Sequence, residues 1–150
     1  MFKRILVPVD GSETSNKALV AALQLAREGG GRIRILHFLD DLVFMSDYSQ
    51  DAGVLQAARE WAGQVLQEAM DVARASGVPA DFHLVERPGR RLGEVVAAEA
   101  DAWEADLVVV GTHGRRGVGR VLLGSGAEQV VRCARVAVLT VRGSNNPVPD

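Results

Sequence analysis

Short apolar runs alternate with longer segments of mixed polarity along the chain of 150 residues. Five of these runs are rich in Val, Ile and Leu and have the length of strands that are buried in a sheet. They begin with RILVPVD and end with VAVLTVR. The predicted strands cover residues 4–10, 32–40, 81–87, 106–111 and 136–142.

The segments between the runs predict four amphipathic helices, because their apolar residues recur at the spacing of one helical face. In the first helix, Ser12 is the expected N-cap and Gly29 the expected C-cap. The second helix covers about residues 52–76, and the last about 125–134. The expected buried faces are Ala18, Leu19, Ala22, Leu23 and Ala26 in the first helix; Leu55, Ala58, Ala62, Val65, Ala69, Val72 and Ala73 in the second; and Leu92, Val95, Val96, Ala100 and Trp103 in the third.

Strands that alternate with helices predict a single α/β domain. We expect an open, doubly wound, five-stranded parallel sheet with four helices, a Rossmann-like fold with strand order 3-2-1-4-5. Residues 1–143 form the predicted domain, and residues 144–150 form a loose tail.

Ligands of such sheets bind beyond the carboxyl ends of the strands, where the strand order reverses. PVDGS follows the first predicted strand, and GTHG follows the fourth. If these two strands are neighbours, both segments face one crevice.

Composition narrows the classes of function. The net charge of −2 argues against a general nucleic-acid or membrane-surface binder, since both usually need a basic excess. Cys133 is the only cysteine, so no intrachain disulfide and no cysteine metal cluster is expected. The chain contains neither a signal-peptide pattern nor an apolar stretch of membrane-spanning length, and we expect a cytoplasmic protein.

Residues 111–129, GTHGRRGVGRVLLGSGAEQ, combine glycines with arginines directly after the fourth strand. A helix that begins after a glycine turn offers unpaired N–H groups to an anion. Gly124 would allow close approach of the backbone, and Ser125 is expected to cap the helix or to donate to a phosphate oxygen. Arg115, Arg116 and Arg120 would offset negative charge, or would form a solvated loop face.

Three familiar motifs fail on these residues. GRVLLGS has the glycine spacing of a P-loop but lacks its lysine, and GVGRVL lacks the last glycine of the dinucleotide fingerprint. LGSGA is not a nucleophile elbow, because its glycines lie one residue from the serine instead of two.

The pattern that does fit is Gly-x2-Gly-x9-Gly-Ser, on Gly111, Gly114, Gly124 and Ser125. With ILVPVDGS, ILHFLD, ADLVVVGTHGR and LLGS in this order, the chain resembles the ATP-binding branch of the universal stress protein family over nearly its whole length. One departure is Gly126, where many relatives have valine. This glycine frees the backbone but lowers helix propensity by roughly 1 kcal/mol relative to alanine.

The resemblance implies ATP at the junction of strands one and four, with Mg²⁺ or Mn²⁺ held by the phosphates. Asp10 would lie beside the ribose and adenine, and the backbone of Phe38 would read the adenine edge. Backbone N–H groups from Gly114 and from Gly124 to Ala127 would hold the phosphates. The complete implied set is Pro8, Val9, Asp10, Phe38, Val110, Gly111, His113, Gly114, Arg115, Gly124, Ser125, Gly126 and Ala127.

Several of these residues also have a purely structural interpretation. Asp10 fits a turn cap into the first helix. A lone loop histidine such as His113 is more often structural than catalytic, and we expect no catalytic residue. His37 and His83 are expected at the sheet surface, and Trp61 is expected to pack.

Three functions remain open at this point. The first is a nucleotide-dependent stress-response or regulatory module, the second a slow ATPase, and the third a nucleotide-independent interaction protein. All three are compatible with a homodimer formed through the apolar fifth strand, by Val136, Val138 and Val141, because an uncovered apolar edge tends to pair. Neither a nucleic acid nor a membrane is an expected partner.

Overall fold

The computed structural model describes residues 1–39, 52–112 and 123–143. These residues form one parallel sheet with strand order β3-β2-β1-β4-β5, as predicted. Strands and helices alternate along the chain in the order β1 (Arg4–Pro8), α1 (Glu13–Gly29), β2 (Arg32–Phe38), α2 (Ala52–Ser76), β3 (Ala80–Val85), α3 (Leu92–Trp103), β4 (Leu107–Gly111), α4 (Ser125–Cys133) and β5 (Ala137–Val141).

Two apolar cores lie on opposite faces of the sheet. Neighbouring residues of a strand point to opposite faces, so Ile5 and Val7 join the core under α1 and α2, while Leu6 joins the core under α3 and α4. The central strands are therefore apolar on both faces, which explains their continuous hydrophobic runs.

The ends of α1 confirm one predicted cap and correct the other. The side chain of Ser12 accepts a hydrogen bond from the Ser15 N–H at 3.2 Å, which confirms the N-cap. The C-cap is Gly30 at φ 65°, and Gly29 is the last helical residue. Gly30 adopts the left-handed conformation that glycine enters without a Cβ penalty.

The buried face of α2 contains the predicted Ala62, Val65, Ala69 and Ala73 but differs from the prediction beside them. Leu66 and Met70 are buried, whereas Val72 is 44% exposed. Viewed along the helix axis, Leu66 lies near the middle of the buried face, whereas Val72 lies at its margin. Trp103 in α3 is buried as predicted.

A charged cluster joins β2, β3 and α3. The Arg34 guanidinium donates to both carboxylate oxygens of Asp81, at 2.8 and 2.9 Å, and to Glu99 at 3.1 Å. It also lies 4.8 Å from the centre of the Trp103 ring. His83 is half-exposed on the same cluster, with Nδ1 2.9 Å from Glu99. The hydrogen bond from Arg34 lowers the pKa of Asp81.

Acid is expected to weaken this cluster. Because the folded-state pKa of Asp81 lies below its ordinary value of 3.8, its contribution to stability is complete above pH 3.8. That contribution is lost as the pH falls through the folded pKa. We therefore expect the free energy of unfolding of the parent protein to fall below pH 4 more steeply than that of Asp81→Asn, measured by urea titration. Asp71→Asn, on the exposed face of α2, is the control. Parallel curves for the parent protein and Asp81→Asn would contradict the account.

Candidate functional site

The carboxyl ends of β1 and β4 are neighbours. Ile5 pairs with Leu107 and Leu6 with Val108, and this register, when continued, sets Asp10 level with Thr112. From β1, the chain continues to β2 on one side, and β4 lies on the other. This edge is therefore the point where strand order reverses, which is where doubly wound folds bind ligands.

Asp10 lies in the turn between β1 and α1. Its Oδ1 accepts from the Ser12 N–H at 2.9 Å, and its own N–H donates to the Ser15 hydroxyl at 3.3 Å. Gly11 follows at φ 83°. Asp10 thus caps the turn as the structural interpretation expected, but the cap involves only Oδ1 of its two carboxylate oxygens. Among the described residues no hydrogen bond reaches Oδ2, so a ligand role is compatible with the cap.

His37 holds the end of β1 against β2. Its Nδ1 lies 2.7 Å from the Val9 carbonyl oxygen, and the Val9 N–H donates to Leu36 at 2.8 Å. Because a carbonyl oxygen only accepts, Nδ1 must carry the proton. The expectation that His37 lies at the sheet surface is wrong, since the residue is buried. The carbonyl at the end of the β1 ladder gives the buried ring a partner.

Gly111 is a site of close packing. A Cβ atom at this position would lie 2.8 Å from the carbonyl carbon and oxygen of Thr14, in the first turn of α1. Gly143, two residues after β5, approaches the same threonine, because a Cβ there would lie 2.9 Å from its Cγ2. A side chain at position 111 would therefore force α1 or the end of β4 to shift, whether or not a ligand is bound.

The start of α4 offers backbone donors. Gly124 is the N-cap, with no side-chain hydrogen bond, and its N–H donates to the Thr112 carbonyl at 2.5 Å. The prediction that Ser125 caps the helix is wrong, because Ser125 is already its first residue. Among the described residues, the N–H groups of Ser125, Gly126 and Ala127 have no hydrogen-bond acceptor. Such a helix start carries partial positive charge and suits an anion.

Gly126 has room for a methyl group. An added Cβ would approach one atom closely, the half-buried Leu92 at 3.0 Å from its Cδ2, which is the flexible end of a side chain. We expect Gly126→Ala to raise the free energy of unfolding by about 0.5 kcal/mol, since alanine favours the helix by up to about 1 kcal/mol and Leu92 moves slightly. Chemical denaturation without nucleotide measures this, with Gly63→Ala in open space on α2 as the reference. A loss of stability for Gly126→Ala alone would show that Leu92 cannot give way.

The described members of the predicted site gather at this one edge of the sheet. They lie around the ends of β1, β2 and β4 and the start of α4, and some of them are buried whereas others are half-buried or exposed. The buried members are Pro8, Val9, Val110 and Ala127; the half-buried or exposed ones are Asp10, Phe38, Gly111, Gly124, Ser125 and Gly126.

The other predicted members of the site are not among the described residues. His113, Gly114 and Arg115 lie outside the described residues, as do Arg116, Arg120, the tail and residues 40–51. Within 1–39, 52–112 and 123–143, no three His, Cys, Asp or Glu side chains are grouped to hold a metal ion. None of the helices described is long and apolar enough to cross a membrane.

Comparison with known proteins agrees with the fold and with the sequence signatures. The model of the universal stress protein family matches residues 1–142. A universal stress protein of Methanocaldococcus jannaschii is 31% identical over 144 residues, which cover 95% of this chain and 83% of that one.

Two solved structures extend this likeness. A member of the universal stress protein family from Burkholderia pseudomallei is 32% identical, with a TM-score of 0.75, over 92% of this chain and 94% of that one. A universal stress protein in complex with cAMP is 27% identical, with a TM-score of 0.67, over 95% of this chain and 98% of that one. With its sheet order, the junction of β1 and β4 and a family match over residues 1–142, the chain belongs to the universal stress protein family.

Proposed function

We propose that this universal stress protein binds ATP at the junction of β1 and β4 and acts as a nucleotide-dependent regulatory module. The observation that carries the proposal is the start of α4, where three N–H groups lack acceptors among the described residues. Gly124 fixes this start against β4 through its hydrogen bond to Thr112. Phosphate oxygens are suitable acceptors for such donors.

The adenosine would lie toward β1. Oδ2 of Asp10, which no hydrogen bond reaches within the described residues, is a suitable acceptor for a ribose hydroxyl, because Oδ1 already accepts from Ser12. His37 and Leu36 use both backbone groups of Val9. Val9, whose side chain is buried in the core under α1 and α2, would therefore pack beneath the base without a backbone hydrogen bond to it. Phe38 at the end of β2 would supply the backbone that reads the adenine edge.

The relative that was solved with cAMP supports an adenine nucleotide as the ligand class. The donors at α4 are uncharged N–H groups, and the nearest acid on the helix, Glu128, is paired with Arg132 at 2.6 Å. A divalent cation would therefore be held by phosphate oxygens and water rather than by this helix.

Ser125 allows a backbone N–H to be removed without breaking the helix. Proline is well tolerated at the first helical position, and Gly124 at φ −59° and ψ 156° already has the conformation that a following proline requires. We expect Ser125→Pro to weaken ATP binding by about ten-fold or more, since a hydrogen bond to a charged group contributes about 1.5–3 kcal/mol. Ser125→Ala, which keeps the N–H, is expected to bind more tightly than Ser125→Pro.

Calorimetric titration with ATP and magnesium measures these affinities, and far-UV circular dichroism checks that both variants are folded. Equal affinities for Ser125→Pro and Ser125→Ala would argue against a phosphate at the start of α4.

We also propose a homodimer through β5. This strand forms an edge of the sheet, and Leu139 on it is 39% exposed, while Val138 and Val141 are half-buried. Edge strands with exposed apolar residues are usually covered by pairing.

Light scattering at micromolar concentration is expected to give the mass of two chains for the parent protein. Leu139→Lys is expected to give the mass of one, because it places a charge at the pairing edge. Val72→Lys, on an exposed position of α2, is the control and stays dimeric. A parent protein with the mass of a single chain would refute the dimer.

A further inference from the structure

Thr112 carries a buried hydroxyl that has no hydrogen-bond partner among the described residues. The residue follows β4 directly and is 5% exposed. Within the described part of the chain, its Oγ1 is the one buried side-chain oxygen or nitrogen atom that has no hydrogen-bond partner. Buried polar side chains are nearly always hydrogen-bonded. We therefore expect a partner for this hydroxyl that is not among the described residues.

The backbone of Thr112 is held on both sides. Its N–H donates to the Val141 carbonyl at 2.9 Å, and its carbonyl accepts from the Gly124 N–H at 2.5 Å. The residue thus connects β4 with β5 and with the start of α4. These bonds hold the backbone of Thr112 beside the start of α4.

If the alternation of β4 continues by one residue, Thr112 lies on the face of the sheet that α4 covers. Val110 belongs to the core under α3 and α4, whereas Gly111 faces Thr14 of α1. Since neighbouring residues point to opposite faces, Thr112 lies on the same face as Val110. The hydrogen bond from the Gly124 N–H to the Thr112 carbonyl also brings this residue beside the start of α4, where the N–H groups of Ser125, Gly126 and Ala127 lie.

We propose that Thr112 is a further ligand-binding residue of this site, whose hydroxyl donates a hydrogen bond to a phosphate oxygen of the bound nucleotide. This inference rests on the proposed function and adds a residue to it. Phosphate oxygens only accept, and both the hydroxyl and the N–H groups of α4 donate, so one phosphate group suits them together. Within the described residues, the hydroxyl without a partner and the helix start without a side-chain cap are two independent observations, and the Gly124–Thr112 hydrogen bond joins the two places.

Thr112→Val removes the hydroxyl and keeps the shape of the side chain, while Thr112→Ser keeps the hydroxyl. We expect Thr112→Val to weaken ATP binding by about ten-fold or more and Thr112→Ser by less than about three-fold, as for one hydrogen bond to a charged group. Calorimetric titration of nucleotide-free parent and variant proteins with ATP and magnesium measures both effects.

The stability of the nucleotide-free protein separates this role from a structural one. Replacement of an unpaired buried hydroxyl by an apolar group of the same shape is neutral or stabilising. The thermal midpoint of Thr112→Val without nucleotide is therefore expected to equal or exceed that of the parent protein. A variant that loses stability and ATP affinity together would overturn the proposal in favour of a structural hydroxyl.

Adenosine provides the remaining comparison, because it lacks phosphate. We expect parent and Thr112→Val to bind adenosine equally. Unchanged ATP affinity in Thr112→Val, or an equal loss for adenosine and ATP, would overturn the contact with phosphate. A parent protein that binds neither compound would contradict the proposed function and this inference with it.

Discussion

Gly111→Ala is expected to lower the free energy of unfolding by about 2–3 kcal/mol, in the upper range for an overpacked core. The added Cβ would lie 2.8 Å from backbone atoms of Thr14. Backbone cannot rotate away as a side-chain end does, so either α1 or the end of β4 must shift. Gly111 does not have a positive φ, and the effect is therefore one of space rather than of backbone conformation.

Chemical denaturation of nucleotide-free protein measures this loss, so that no ligand contributes. Gly63→Ala is the matched control, because no atom lies within 4 Å of a Cβ there and alanine favours the exposed helix. It is expected to keep or raise stability. If Gly111→Ala unfolds like the parent protein, the close approach of α1 is not what requires a glycine at this position.

Arg34→Met is expected to lower the free energy of unfolding by about 2–3 kcal/mol. Removal of one partner from a buried ion pair costs about 3–5 kcal/mol, and this cluster is partly open to solvent. The side chains of Arg34 and Glu99 are 15% and 17% exposed, whereas Asp81 is 38% exposed. Methionine keeps an apolar stem beside Trp103 but leaves two carboxylates without their cation.

Urea denaturation at neutral pH measures the change. Arg135→Met is the control, since Arg135 is 83% exposed and lies 3.7 Å from Asp101. Such a surface pair is expected to contribute less than about 1 kcal/mol. Equal losses for the two variants would show that the Arg34 cluster contributes no more than a surface pair.

The sheet was predictable from the sequence because its signals are local. The apolar runs of strands and the apolar faces of helices can be identified from residues that are close together in the chain. Once the strand order is known, a doubly wound sheet places the ends of β1 and β4 side by side. PVDGS and the first residues of GTHG, which follow these strands, therefore lie at neighbouring strand ends as predicted.

The remaining features depend on residues that are far apart in the chain. Nothing near Gly111 indicates that Thr14 approaches it, and nothing near His37 indicates that the Val9 carbonyl gives it a buried partner. The Arg34 cluster combines side chains from β2, β3 and α3, so its parts look like ordinary surface charges in the sequence. Thr112 likewise carries no signal in the sequence, because only the packing of the described residues shows that its hydroxyl lacks a partner there.

The central claim is that this chain binds an adenine nucleotide where β1 and β4 meet. Its most direct test is calorimetric titration of the nucleotide-free parent protein with ATP and magnesium, after bound ligand has been removed and identified by mass spectrometry of the denatured protein. We predict saturable binding of one nucleotide per chain. Absence of binding heat up to millimolar ATP, together with no nucleotide released on denaturation, would contradict the account.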